Sequence, residues 1–264
     1  MRREFLASNE EASSQLGHGS YPRLVVADQQ TSGRGRGEHS WWSPEGCLMS
    51  SLALFEPTKN ISSVAYVTAI AIAKTIETQI DNPNRCKIKW PNDVYVDEKK
   101  IAGVLIERVA YPPQNILIIG TGINVDVDFS DAPAEIRARA ISLAHHSRAA
   151  SPELSTKHGR MSLILNRFVS ELRAAMQSTD SDDTWWHREW TKRCYLEGKN
   201  IEGTVSSWET AQFEAETQLS LKGRDPPIGT AIGMCLGLDA TGHLRIRHES
   251  GSIGRIVTSS VRIV

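Results

Sequence analysis

The chain has 264 residues and a formal net charge of −1 at pH 7, with 40% hydrophobic and 23% charged residues. This length predicts one large domain, or a medium domain with a small one, and the near-neutral charge gives no reason to expect a nucleic-acid or membrane partner. The first residues, MRREFLASNEE, carry no signal-peptide pattern, no stretch resembles a membrane span, and the four scattered cysteines form no C-x-x-C pair, so we expect a cytoplasmic protein with reduced thiols.

Residues 1–195 alternate between strand-like and helix-like hydrophobic patterns. A short helix is predicted over 7–16, and longer helices are predicted after Ser62, around Met161 and over 185–192. Strands are predicted over 24–27, 47–55, 86–90, 101–109 and 116–124. This mixture of helices and strands predicts an α+β domain, with helices and strands mixed along the chain.

The pattern changes near residue 196. Short alternating runs follow, separated by glycines, over 201–206, 217–221, 230–238, 244–248 and 257–263. Short strands punctuated in this way are typical of a small antiparallel barrel or sandwich. We therefore predict two domains, 1–195 and 196–264.

A loop rich in glycine and arginine occupies residues 29–46. Gly33, Gly35 and Gly37 alternate with Arg34 and Arg36. Such a loop can bring backbone N–H groups close to an anion, and arginines add donors that suit carboxylates and phosphates. The loop alone leaves a second interpretation open, a flexible basic segment that binds nucleic acid.

Three further motifs follow in order. KWPND spans 89–93, KIAGVLIE begins at Lys100, and IIGTGINV spans 118–125. Together with the glycine–arginine loop they resemble the catalytic domain of biotin–protein ligases, also called holocarboxylase synthetases. The resemblance implies a biotin/lipoate-ligase-type catalytic domain followed by an SH3-like β-barrel. It implies ATP-dependent biotinylation of a lysine on a biotin carboxyl carrier domain of a carboxylase, through biotinyl-5′-AMP, with Mg²⁺ as cofactor.

The resemblance assigns two catalytic cations, Arg36 and Lys100. Arg36 would hold the biotinyl-adenylate, and Lys100 would stabilise charge on the α-phosphate and the carboxylate. Neighbouring strand residues point to opposite faces, so Lys99 is expected at the surface. Chemistry alone would also allow Lys89 as the catalytic lysine, but the resemblance assigns Lys89 to a structural strand.

The ATP and metal region falls on all four motifs. The resemblance assigns ATP binding to the set Arg34, Arg36, Asn92, Asp93, Lys100 and Asn124. Asp93 suits Mg²⁺, directly or through water. Asn92 could instead be a turn residue that bonds nearby backbone, and Arg34 could be a solvated loop residue.

The resemblance assigns biotin binding to polar side chains around the glycine–arginine loop and to glycines whose backbone could approach a ligand closely. The set is Ser8, Asn9, Gln30, Gly33, Arg34, Arg36, Trp41, Lys100 and Gly103. The chain departs from the family pattern at Ala7 and at Glu38–His39. The second departure puts the usual triphosphate contacts at the end of the loop in doubt.

Few residues precede Ser8, so we expect a monofunctional form without the helix-turn-helix domain of the bifunctional repressors. The expected partner is a carrier domain, with no DNA and no membrane, and an exposed sheet edge could allow a homodimer. Two rival functions remain at this point. One is a lipoate ligase or octanoyltransferase on the same scaffold, and the other is a nucleic-acid-binding module.

Overall fold

The structure is a computed structural model that describes residues 4–5, 8–14, 21–37, 39–56, 63–146, 156–209, 228–257 and 261–264. Contacts divide the chain into two compact units, Met1–Trp186 and His187–Val264. Within the described residues, no helix is long and apolar enough to cross a membrane.

A six-stranded antiparallel sheet forms the centre of the first unit, in the order β2-β4-β8-β7-β6-β5. Its strands are β2 (Arg23–Ala27), β4 (Cys47–Phe55), β5 (Cys86–Lys89), β6 (Asp93–Val96), β7 (Lys99–Tyr111) and β8 (Gln114–Asn124). Two short parallel strands, β1 (Glu4–Phe5) and β3 (Gln29–Gln30), form a separate pair. The prediction of a mixed α/β unit is confirmed, although β6 was not predicted.

Helices cover the sheet. They are α1 (Ser8–Ser14), α2 (Val64–Glu77), α3 (Ala134–Arg139), α4 (Lys157–Ser181) and α5 (Trp185–Thr191), with 3-10 turns at Pro83–Arg85 and Leu143–His145. Helix α2 packs on β5, β6, β7 and α4, whereas α1 packs on β2, β4 and β8. Helix α3 was not predicted, and α4 extends well beyond the predicted apolar stripe.

The two faces of β5 and β6 differ in burial. Cys86 and Val96 are buried, and the Cys86 thiol lies against the Ala73 carbonyl of α2. Asp93 and Tyr95 alternate with these buried residues and are only half-buried. Because successive side chains of a strand point to opposite faces, Asp93 and Tyr95 face away from α2. That second face carries the polar groups described below.

The second unit is a small antiparallel β domain, as predicted. Its strands are β9 (Asn200–Val205), β10 (Ser207–Glu209), β11 (Gly229–Leu238), β12 (Leu244–Arg247), β13 (Ile253–Ile256) and β14 (Arg262–Ile263), in the order β10-β13-β12-β11-β9-β14. Only Ser206 separates β9 from β10, although β10 lies at one end of this order and β9 lies next to the other end, between β11 and β14. Strand β9 also contacts β13, three places away in the order, so the sheet curls into a small barrel.

Three details of this unit differ from the sequence expectations or fall outside the described part. Of the strand predicted over 257–263, the described part differs, because β13 already ends at Ile256 and strand is described again at Arg262–Ile263, while residues 258–260 lie outside the described part. The run predicted over 217–221 lies outside the described residues. The division between units falls inside α5 rather than after residue 195, and the His187 ring lies 3.1 Å from the Leu238 carbonyl oxygen of the barrel.

Candidate functional site

The glycine–arginine loop folds as a short hairpin. Trp41 N–H donates to the Gly33 carbonyl at 2.8 Å, and Gly35 N–H donates to the His39 carbonyl at 2.7 Å. Arg36 lies near the exposed tip, next to Gly37 with φ of 59°. Glu38 lies outside the described residues. The hairpin thus fixes the base of the loop and leaves Arg36 at its end.

Trp41 covers a row of glycines on the sheet. Gly103 of β7 pairs with Gly122 of β8, and a Cβ on Gly122 would lie 2.6 Å from the Trp41 indole. A Cβ on Gly103 would lie 3.3 Å from the same ring. Gly103 was predicted to allow close approach of a ligand, and in the structure the group that approaches both glycines is the indole of Trp41.

A β-bulge decides which way Lys100 points. Asp93 pairs with Gly103, but Tyr95 pairs with Lys100, so Ile101 is the extra residue. In a regular strand Lys100 and Gly103, three residues apart, would point to opposite faces. The bulge re-aims the lysine, as bulges beside functional sites commonly do. Lys100 therefore shares the face of Asp93 and Gly103.

Lys100 makes two contacts on this face. Its Nζ lies 2.7 Å from Asp93 Oδ1 and 5.1 Å from the centre of the Trp41 ring. Lys99, its neighbour, is exposed. The predicted contrast in exposure between the two lysines is confirmed. Lys89, the other candidate by chemistry, lies over the Tyr95 ring at 5.7 Å.

A second polar group lies farther along β7. Asn9 of α1 donates to Glu107 Oε2 at 2.6 Å and accepts from the Ser51 hydroxyl at 2.5 Å. Arg34 lies 3.1 Å from both oxygens of Glu107 and 3.5 Å from Glu10. The Asn9 amide and the Arg34 guanidinium are thus held by protein groups, whereas among the described residues the Arg36 side chain has no such partner.

The two groups lie at opposite ends of one strip of sheet face on β7, from Gly103 to Glu107, which we refer to as the groove. Gly103 and Glu107 are four residues apart on the same face of β7, a separation of about 13 Å at about 3.4 Å per residue. Asn9 lies between them, over Gly120. The groove therefore has a lysine and an aspartate at one end and an amide and a carboxylate at the other.

The remaining predicted residues have mainly backbone partners. Asn92 Nδ2 donates to the carbonyl of Val104 on β7, so this side chain bonds a neighbouring strand and not the backbone of its own turn. Asn124 is buried and donates to the Ile141 carbonyl at 3.2 Å. The half-buried Gln30 lies beside Gly33. Ser8 begins α1, but its side chain lies outside the described residues.

Sequence reasoning missed Glu107, Ser51 and the bulge at Ile101. One signal for Glu107 was present, since positions 103, 105 and 107 alternate onto one strand face. Cys47, beneath Trp41, is not a candidate nucleophile, because burial raises its pKa to about 12.

Residues 8–124 match the model of the biotin/lipoate A/B protein ligase family. Biotin–protein ligase 2 of Arabidopsis thaliana is 37% identical over 39% of this chain, a match that spans one third (33%) of that relative's length. The bifunctional ligase/repressor BirA of Bacillus spizizenii is 28% identical, with 98% of this chain and 72% of the relative covered. The biotin protein ligase of Aquifex aeolicus, solved with biotin and ATP, is 25% identical at a TM-score of 0.71, and the match covers 100% of this chain and 97% of that one.

Proposed function

From the family match over residues 8–124, we propose that the chain is a biotin–protein ligase. It would adenylate biotin with ATP and transfer the biotinyl group to a lysine of a biotin carboxyl carrier domain. The single observation that carries the proposal is the position of Lys100, which the bulge turns onto the glycine face beside Asp93 and Trp41.

The groove suits a ligand that is polar at both ends. The ureido ring of biotin needs hydrogen-bond partners, and the end near Asn9 and Gln30 carries groups of this kind. The biotin carboxylate needs a cation, and the other end offers Lys100. Trp41 over the paired glycines supplies an apolar wall of the kind that lines small-molecule sites. Biotin would therefore bind with its ring towards α1.

Adenylation joins two anions. A biotin carboxylate oxygen attacks the α-phosphorus of ATP, the new P–O bond forms, and pyrophosphate leaves with the electrons of the old one. Lys100 and Arg36 would offset the repulsion between the reactants and the charge that builds up in the transition state. Arg36 lies at the loop tip, and no described residue engages its side chain. Its guanidinium would therefore be available to bind the adenylate.

Transfer consumes the mixed anhydride. The neutral amine of the acceptor lysine attacks the acyl carbon, an amide bond forms, and AMP leaves with the electrons of the acyl–oxygen bond. Glycines flank Arg36 in the hairpin, so the tip can adjust over the intermediate and shield it from water.

Asp93 is the residue that would hold Mg²⁺. Its side chain is 24% exposed and only Oδ1 contacts Lys100. Mg²⁺ usually takes one or two carboxylates with substrate phosphates and water, which fits a single aspartate at the groove end. The ion would supply charge neutralisation on the ATP phosphates.

Neither rival fits as well. The relatives named above are all biotin ligases, which favours biotin over lipoate. A nucleic-acid-binding loop would present several free arginines, whereas Glu107 and Glu10 neutralise Arg34 and, among the described residues of the loop, Arg36 alone is left without a protein partner. The carrier partner, the cytoplasmic location and a homodimer stay predictions.

Exchange of labelled pyrophosphate into ATP tests the first step. We expect exchange to depend on biotin and Mg²⁺ and to stay at background with lipoate or octanoate, because the groove offers polar partners for a ureido ring. Equal exchange with lipoate would show that the chain is a lipoate ligase instead. No exchange with any of these acids would contradict the proposal that the chain adenylates a carboxylic acid.

A further inference from the structure

Glu107 closes the KIAGVLIE motif and has no part in the chemistry described above. Its carboxylate contacts two separate elements, since Oε2 accepts from the Asn9 amide at 2.6 Å and from Arg34 at 3.1 Å. Oε1 lies 3.1 Å from the same guanidinium. One side chain on β7 therefore ties α1 to the glycine–arginine loop.

The contact with Asn9 fixes the orientation of an amide. A carboxylate only accepts hydrogen bonds, so the Asn9 NH₂ group must face Glu107. The Asn9 oxygen is thereby turned towards Ser51, which donates to it at 2.5 Å. Asn9 is 5% exposed, so an alternative orientation would leave a buried polar group without its partner.

The contact with Arg34 fixes the base of the loop. Arg34 lies directly after Gly33, whose carbonyl accepts from Trp41 N–H at 2.8 Å. Displacement of Arg34 would therefore shift Gly33 and Trp41, which border the groove. Glu10 also faces Arg34, but at 3.5 Å and from a side chain that is 45% exposed, so Glu107 is the principal partner.

We propose that Glu107 is a positioning residue that shapes the ring end of the biotin subsite by holding Asn9 and Arg34 in place. The inference rests on the proposed function. Glu107 lies about 13 Å along the strand from Gly103, so it acts on the ring end and not on the reacting atoms. Its loss should therefore weaken biotin binding more than it slows adenylation.

The test is biotin-dependent pyrophosphate exchange in Glu107→Gln at varied biotin and varied ATP. Glutamine keeps the size of the side chain, but it removes the charge. It also places an NH₂ group beside the N–H donors of Asn9 and Arg34. We expect the biotin KM to rise about tenfold, the lower end for charge-assisted hydrogen bonds because the groups are partly exposed. The ATP KM and kcat should change less than about threefold, since Lys100 and Asp93 are untouched.

Glu10→Gln is the matched control, since it removes the weaker carboxylate partner of Arg34, and it should change the biotin KM less than about twofold. The double variant Glu107→Gln with Arg34→Met should be no worse than the poorer single variant, because the two residues act as one unit. Glu107→Asp keeps the charge and should recover part of the lost affinity. If Glu107→Gln does not fold, Glu107→Asp takes its place, with a raised biotin KM still expected.

Three results would overturn the inference: an unchanged biotin KM in Glu107→Gln, a fall in kcat alone, or an equal rise in Glu10→Gln. Absence of biotin-dependent exchange in the wild-type protein would instead contradict the proposed function. The two failures are therefore distinguishable in one series of measurements.

Discussion

Replacement of Lys100 by alanine is expected to lower the rate of biotin-dependent pyrophosphate exchange by about 10²-fold or more. Lys100 would provide electrostatic stabilisation at the α-phosphate, and the loss of one such donor typically costs about 10²–10³-fold. Its Nζ is held on the groove face by Asp93 at 2.7 Å and by the Trp41 ring at 5.1 Å. The effect should appear in kcat at saturating ATP, with the folded structure retained.

Lys99→Ala is the internal control for this experiment. Lys99 is exposed, and exposed substitutions usually stay within about 0.5 kcal/mol, so its exchange rate should match the wild type. If Lys99→Ala loses activity instead, Lys99 faces the groove rather than Lys100, and the register of the bulge at Ile101 is wrong. If both variants keep full activity, no lysine of this motif is catalytic.

Arg36→Gly is expected to release biotinyl-adenylate into solution and to label lysines without selectivity. Loss of a charge-assisted hydrogen bond of about 1.5–3 kcal/mol would speed release of the intermediate by about 10–100-fold. The fold should survive, because Arg36 is exposed and, within the part of the chain that the structure describes, its side chain has no ion pair. The measurement is labelling of an unrelated lysine-rich protein added beside the carrier.

Arg36→Lys retains the charge at this position and should leak less adenylate than Arg36→Gly. Labelling that stays confined to the carrier in Arg36→Gly would show that another group retains the intermediate. Arg34 is not an equivalent control, since Glu107 and Glu10 already hold its guanidinium.

Local patterns were sufficient to predict most of the central sheet. Strand β4 has the predicted bounds, Cys47–Phe55, because a long apolar run between polar loops has one reasonable interpretation. Alternation along a strand also predicted that Lys99 and Lys100 face opposite sides, but the choice of Lys100 came from the family resemblance, because the bulge decides which of the two shares the face of Gly103. Both successes depend on residues that are close in sequence.

The parts that failed depend on pairing between distant residues. The bulge at Ile101 exists only in the register between β6 and β7, and no local pattern marks it. Asn9 and Glu107 are 98 positions apart in sequence, so their contact could not be expected before the fold was known. Strand β13 was missed because it is four residues long and contains Gly254, which weakens the local strand signal.

Transfer of biotin to a carrier lysine is the activity that we propose for this chain. The direct measurement is incubation of the purified protein with radiolabelled biotin, MgATP and a biotin carboxyl carrier domain, with the acceptor lysine of the carrier replaced by arginine as a control. The account predicts stable label on the intact carrier, none on the lysine-to-arginine carrier, and none without ATP. Absence of label on the intact carrier, in a preparation that carries out biotin-dependent pyrophosphate exchange, would contradict it.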